Sequence, residues 1–149
     1  MAAHNILGQE GEQMAREMME QKGYTILEQN WRFGHLEIDI ICENGEDVVF
    51  VEVKTRTSLY GMVRPEQYVD EEKKRHMIAA ANVYMKKAKK MEKNIRFDIV
   101  GIYVKRNGET EVTYLENAFV PHAKTIGTNR YNGEWRHHDR TAYTGWRRG

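Results

Sequence analysis

The chain has 149 residues, enough for one domain with a core of its own. Its 23 Lys/Arg and 22 Asp/Glu leave a formal charge of +1, which excludes a global basic field as the mark of a nucleic-acid binder. A single cysteine excludes an internal disulfide framework and suits a reducing compartment.

The N-terminal stretch, MAAHNILGQEGEQ, lacks the basic-then-apolar order of a signal peptide. No apolar run approaches the roughly 18 residues that span a bilayer. The expectation is a cytoplasmic protein without a membrane partner. Gly8 to Lys22 is predicted as a first helix, with Leu7, Gly11, Met14, Ala15 and Met18 on one apolar stripe and Gly23 as its stop. Tyr24 to Arg32 is predicted as a first strand. Leu36 to Glu43 and Glu46 to Thr55 come next as second and third strands, joined by Asn44-Gly45, a strong hairpin signal. Thr57 to Pro65 reads as a loop. Asp70 to about Lys93 reads as a second helix, acidic in its first turn and lysine-rich towards its end. Arg96 to Val104 and Glu111 to Glu116 are the fourth and fifth strands, turned at Asn107-Gly108.

Regular periodicity stops after Ala118. Residues 119–149 form a basic, aromatic tail in which Arg130, Arg136, Arg140, Arg147 and Arg148 alternate with Tyr131, Trp135, Tyr143 and Trp146. The organisation expected is a domain over 1–118 and this tail, which either docks or stays unfolded. Helix, three strands, helix, two strands predicts an antiparallel meander, then a helical crossover to a parallel fourth strand. The fold class is α/β, a mixed sheet of about five strands flanked by helices.

The chemistry concentrates in the hairpin, FGHLEIDIICENGEDVVFVEVKTR. Side chains alternate faces along a strand. Val49, Val51 and Val53 share one face of the third strand, and Phe50, Glu52 and Lys54 the other. In the second strand Leu36, Ile38, Ile40 and Cys42 share one face, and Glu37, Asp39 and Ile41 the other. An Asn-Gly turn would pair Glu43 with Glu46, Asp39 with Phe50 and Glu37 with Glu52, leaving Asp39 diagonal to Glu52. Like charges facing each other across strands are unfavourable. A hard divalent cation would offset them, since Mg²⁺ takes one or two carboxylates plus water and phosphate oxygens. Lys54 beside such an ion could orient water or stabilise charge. Taken alone, Glu-x-Lys on a strand is an ordinary solvated face; with Asp39 on the adjoining strand it is more specific.

These residues resemble the Asp…Glu-x-Lys core of restriction-endonuclease-like nucleases, the PD-(D/E)XK superfamily. More closely, the chain resembles the bacterial YraN family. The matching segments are Gly11-Glu12, GYTIL from Gly23, NWR from Asn30, LEID from Leu36, FVEVKTR from Phe50, then Pro65, Val69, Lys73 and RFD from Arg96. Leu36 stands where the family has glycine. The resemblance implies a restriction-endonuclease-like fold, similar to archaeal Holliday-junction resolvases. It implies Asp39 and Glu52 as ligands of Mg²⁺ or Mn²⁺ and Lys54 as the catalytic lysine. The implied function is a metal-dependent endonuclease on DNA, with branched or damaged forms in view. The alternative is a nucleic-acid-binding module of the same fold that does not cut. A homodimer is left open.

Other residues are candidates of lower specificity. Glu12, at the edge of the first helix's stripe, and Glu37 could add further acids. Arg56, on the face of Lys54, is a phosphate candidate, as are Lys73 and Lys74 early on the second helix. Late lysines there, Lys86, Lys87, Lys89 and Lys90, read equally as a solvated face. Cys42 reads as a core thiol. Asp98 reads as fixing the start of the fourth strand. His137-His138 lacks the second ligand pair of a zinc site.

Overall fold

The computed structural model describes residues 3–57 and 69–121, residues 3–7 by their backbone alone. Helix α1 spans Ala3–Gln21, followed by strands β1 (Thr25–Phe33), β2 (Leu36–Asn44) and β3 (Asp47–Thr57). Helix α2 spans Glu71–Lys87, and strands β4 (Asn94–Val104) and β5 (Thr110–Leu115) complete the described fold. The five strands lie in the order β1-β2-β3-β4-β5. β1, β2 and β3 form the antiparallel meander, β4 runs parallel to β3, and β5 returns antiparallel to β4. This is the mixed α/β sheet that the element order predicts. The loop from Thr57 to Pro65, beyond Thr57 itself, and the tail from residue 122 lie outside the described residues.

Both sheet faces are apolar, and each carries one helix. On one face Ile41, Val48, Phe50, Phe97 and Ile99 pack with Met77, Ile78, Ala81, Tyr84 and Met85 of α2. On the other, Ile40, Cys42, Val49, Val51, Val53, Val100 and Ile102 pack with Ala15 and Met19 of α1. Covered on both sides, β3 and β4 read as nearly continuous apolar runs, as central strands should. Phe119 belongs to the first core, stacked on Phe97 with centroids 4.7 Å apart, so the packed unit runs at least one residue past Ala118.

Element ends differ from expectation where backbone geometry overrides composition. α1 begins at Ala3, not Gly8, and ends where Gly23 takes a left-handed φ of 98°. α2 stops at Lys87, several residues before Lys93. Lys89 adopts a left-handed φ of 58° there, and the Lys90 N–H donates to the Met85 carbonyl at 2.9 Å. This is the helix ending that glycine usually provides, here without a glycine to signal it. Asp70 caps the start, its carboxylate accepting the Lys73 N–H at 2.8 Å.

The hairpin register is displaced by two residues from the one expected. Asn44 pairs with Asp47, Glu43 with Val48 and Ile41 with Phe50. The two turn residues are therefore Gly45 and Glu46, and the positive φ falls on Gly45. Glycine at the first turn position is an alternative hairpin geometry to the Asn-Gly pair. Because the shift is even, faces are preserved on β3. Extended one step beyond Ile40↔Val51, the register sets Asp39 level with Glu52, not diagonal to it.

Strict alternation fails on β2. Ile38 packs in the α2-side core with Ile41, whereas Ile40 and Cys42 belong to the α1-side core. β1 reverses at the same step. Gln29 accepts from Arg16 of α1, while Trp31 packs edge-on against Tyr84 of α2. Between them Asn30 takes a left-handed φ of 52°. Asn30 and Asp39 occupy one register step, bracketed by Gln29↔Ile40 and Trp31↔Ile38. The left-handed Asn30 thus lies level with Asp39, at the step where both strands change faces.

Candidate active site

Glu52 follows Val51 on β3, on the α2 side of the sheet, and is only 3% exposed. A carboxylate so buried needs partners. Lys54 Nζ lies 3.6 Å from its Oε2, and Lys73 Nζ lies 3.5 Å from its Oε1. Lys54 shares the strand face by alternation. Lys73 arrives from the first turn of α2, where the Asp70 cap fixes its backbone. Both ammoniums remain about one-third exposed, so the site opens to solvent on the lysine side.

Asp39 enters from β2. One of its oxygens accepts the Val53 backbone N–H at 2.8 Å. Burial first, and then the neighbouring Glu52 charge, push its carboxyl up to about 7 against the opposing pull of the Val53 N–H and Lys73. Asp39 and Glu52 are therefore electrostatic neighbours, with Glu52 straddled by two lysines and Asp39 held partly protonated near neutral pH. Two hard oxygen donors at one point, one of them short of compensating charge, fit a divalent cation of the Mg²⁺ type. Among the described residues no group of three or more His, Cys, Asp or Glu is arranged to hold a metal. A cation held there would find two carboxylates from the protein, its other positions falling to water or substrate.

The two further acids flank the pair without joining it. Glu12 is raised by burial first and then by the Asp39 charge, while an Asn30 hydrogen bond lowers it. Its placement depends on Gly11. A Cβ at Gly11 would lie 2.2 Å from Thr55 Oγ1, so only glycine lets α1 approach β3 this closely. Glu37 is one of the charges raising Asp39, and it pairs with Arg32 at 3.6 Å.

The phosphate candidates divide. Lys73 stands in the site itself, as a partner of Glu52. Lys74 turns away, to Glu71 at 3.2 Å and over the Phe119 ring at 5.6 Å. Arg56 continues the face of Lys54 and donates to its neighbour's carbonyl, Thr55 O, at 3.3 Å. Lys90 and Lys93 pair with Glu43 far from the site. Cys42 is fully buried, its thiol pushed up to about 12 chiefly by burial. Asp98 is fully buried too. It accepts from Arg96 at 3.0 and 2.8 Å, from the Tyr114 hydroxyl and from the Asn117 N–H at 2.9 Å. Asp98 thus tethers β4 to the turn after β5, a structural role as expected.

Three features escaped the sequence reading. The Lys73–Glu52 contact needed the crossover geometry. The reversal at Asn30 had no glycine to announce it. The role of Gly11 was hidden in an apolar stripe, although its adjacency to Glu12 was a usable signal.

An aspartate and a glutamate meeting across adjacent strands of a five-stranded mixed sheet, with a lysine two residues beyond the glutamate, give an α/β protein whose fold is consistent with the restriction-endonuclease-like class. Residues 11–102 match the model of a family described as uncharacterised protein family UPF0102. A UPF0102 protein of Bacteroides thetaiotaomicron is 39% identical over 121 residues, covering 81% of this chain and 98% of the relative. One from Flavobacterium psychrophilum is 41% identical over 120 residues, covering 80% and 98%. One from Nitratidesulfovibrio vulgaris is 36% identical over 117 residues, covering 78% and 86%. The chain belongs to the UPF0102 family.

Proposed function

We propose that the protein is a metal-dependent endonuclease hydrolysing phosphodiester bonds in DNA, on branched or damaged forms. The observation that carries the proposal is the Asp39–Glu52 pair, a buried and a half-buried carboxylate close enough that one raises the other, with two ammoniums at its open side. A purely structural sheet face has no use for so unfavourable a pair.

Asp39 and Glu52 would hold Mg²⁺ or Mn²⁺. Bound there, the ion would supply Lewis-acid polarisation of the phosphate and of water. The chain's own groups prepare the site. The Val53 N–H holds Asp39 in place. Lys73 holds one oxygen of Glu52 and so orients the other. Lys54, partly exposed, faces the substrate side, where its ammonium can orient the attacking water and stabilise charge growing on the phosphate. Arg56 extends the same face towards the neighbouring phosphate. Asp39 must shed its proton before it can bind a cation, which Lys73 assists by charge.

A second reading has its own support. Two lysines already sit on the two oxygens of Glu52, which neutralises it without a metal. On that reading the protein is a nucleic-acid-binding module that does not cut. The test is a panel of linear, gapped and branched DNA, with RNA counterparts, incubated with Mg²⁺ or Mn²⁺. Cleavage that disappears in Asp39→Asn and Glu52→Gln supports hydrolysis. Binding without cleavage across the panel supports the module.

A further inference from the structure

We propose that the tip of the β1–β2 hairpin and the adjoining flank of α2 form a stacking platform for an unpaired base beside the carboxylate pair. The inference rests on the reading that the substrate is nucleic acid, and it narrows that substrate to interrupted duplex. Phe33 closes β1 with 45% of its surface exposed, one of two large apolar residues so placed among the described residues. Its ring does not stand alone. The Trp31 ring lies nearly parallel to it, at 10° with centroids 6.4 Å apart. Lys87 Nζ sits 5.2 Å from the Phe33 centroid. At the tip, His35 meets His76 of α2 edge to face at 5.6 Å. Aromatic rings line this strip, with the Lys87 ammonium over one of them.

The strip runs along the strand pair that leads to the site, Phe33 opposite Leu36 and Trp31 opposite Ile38, the residue before Asp39. Arg32, next to Phe33 and highly exposed, reaches Glu37 at 3.6 Å, and the Glu37 charge acts on Asp39. A strand whose phosphate lies at the carboxylates would carry its next nucleotides over this hairpin. There Phe33 offers a base-stacking face, while Arg32 and Lys87 offer counter-charge to the backbone. Paired bases hide their faces in the duplex, so Phe33 can meet one only at a gap, an end or a branch. Stacking reads a π-face and no base edge, so the preference is for structure and not for sequence. The occupant is a nucleic-acid strand and not a second copy of the chain. A symmetric contact centred on Phe33 would crowd the cationic Arg32 and Lys87 of one copy against those of the other.

The test measures binding by the full chain in EDTA, so that nothing is cut, to a fully paired duplex and to the same duplex bearing an unpaired flap. Phe33→Ala should weaken flap binding on the order of tenfold and leave the paired duplex unchanged. Phe33→Trp should restore the affinity and show fluorescence quenching when the flap binds. Lys87→Ala should lower the salt slope by about one. Equal affinity of native protein and Phe33→Ala for the flap would overturn the platform, as would an equal loss on both DNAs. A change from dimer to monomer in Phe33→Ala, with flap affinity intact, would reassign the strip to contact between copies and overturn it as well. If flap binding depends on Phe33 while no metal-dependent cleavage is found, the platform stands and the hydrolysis reading falls.

Discussion

The Asp39 carboxylate accepts the Val53 backbone N–H at 2.8 Å, taking over from a main-chain carbonyl just where the β2–β3 pairing ends at Ile40↔Val51. One side chain thus closes the ladder and opens the site. Asp39→Ala should cost about 1–3 kcal/mol of stability, because a partly buried N–H loses its acceptor. At the acid end, near pH 4, where Asp39 is protonated in the fold, Asp39→Asn keeps an acceptor oxygen and should unfold at nearly the native urea midpoint. Equal midpoints for the two variants would show that the hydrogen bond carries no weight.

Stability should fall as pH rises through the interval from about 4 to about 7. The Asp39 carboxyl stands at about 7 in the fold against 3.8 for the ordinary group, mainly through burial and then through Glu52. Between those values the folded chain holds a proton that the unfolded chain has released, so the fold is favoured at the acid end and loses this advantage as Asp39 ionises. Asp39→Asn should flatten that part of the profile. Parallel profiles for native protein and variant, measured by urea melts across the interval, would refute it.

Cation binding should run the other way. A ligand carboxylate must be ionised to bind, so Mg²⁺ affinity should climb as pH approaches about 7 and level off above it. Calorimetric titration should find this site in the native protein and lose it in Glu52→Gln. Unchanged binding in that variant would remove Glu52 from the donor set.

Lys54→Met separates holding a metal from using it. The variant should bind Mg²⁺ at least as well as the native protein, since a nearby positive charge is gone. Cleavage should drop by roughly 10²- to 10³-fold, the usual loss for a group that stabilises transition-state charge. Cleavage within a factor of about two of native would leave Lys54 as a mere partner of Glu52.

Gly11→Ala should destabilise the chain by about 1–3 kcal/mol, as overpacking does, because the new methyl would meet Thr55 Oγ1 at 2.2 Å. Thr55→Ala removes that oxygen and should recover most of the loss in the double variant. Additive effects in the cycle would mean that the two positions do not touch.

The hairpin chemistry was legible because alternation is a property of each strand alone. Phe50, Glu52 and Lys54 needed no partner to be assigned one face. The meander and the parallel return of β4 came from element order and length. What stayed hidden depends on positive φ at residues that rarely adopt it. Asn30 lies at the step where β1 and β2 change faces, and Lys89 ends α2, yet neither is the glycine that would give notice. The two-residue error in register came from giving the turn to Asn44-Gly45, when glycine can also lead a turn. Lys73 was readable as a basic residue near the site, but its contact with Glu52 arises only when α2 folds back over β3.

β3 pairs with β4 along its whole length, from Asp47↔Asn94 to Thr57↔Val104, across the entire α2 crossover. The strand that bears Glu52 and Lys54 is therefore also the one whose neighbour comes from far along the chain. Loop closure over such a span must precede its pairing, so β4 is expected to join after the local β2–β3 hairpin that carries the carboxylate pair. In the finished protein the same strand is covered on both faces, bonded to β4 throughout and to β2 from Asp47 to Val51. Its amides should exchange with deuterated solvent only through global opening. The Val53 amide is the exception in kind, since a side chain holds it and not a neighbouring strand. Its exchange rate is a local gauge of Asp39, readable residue by residue without any substrate.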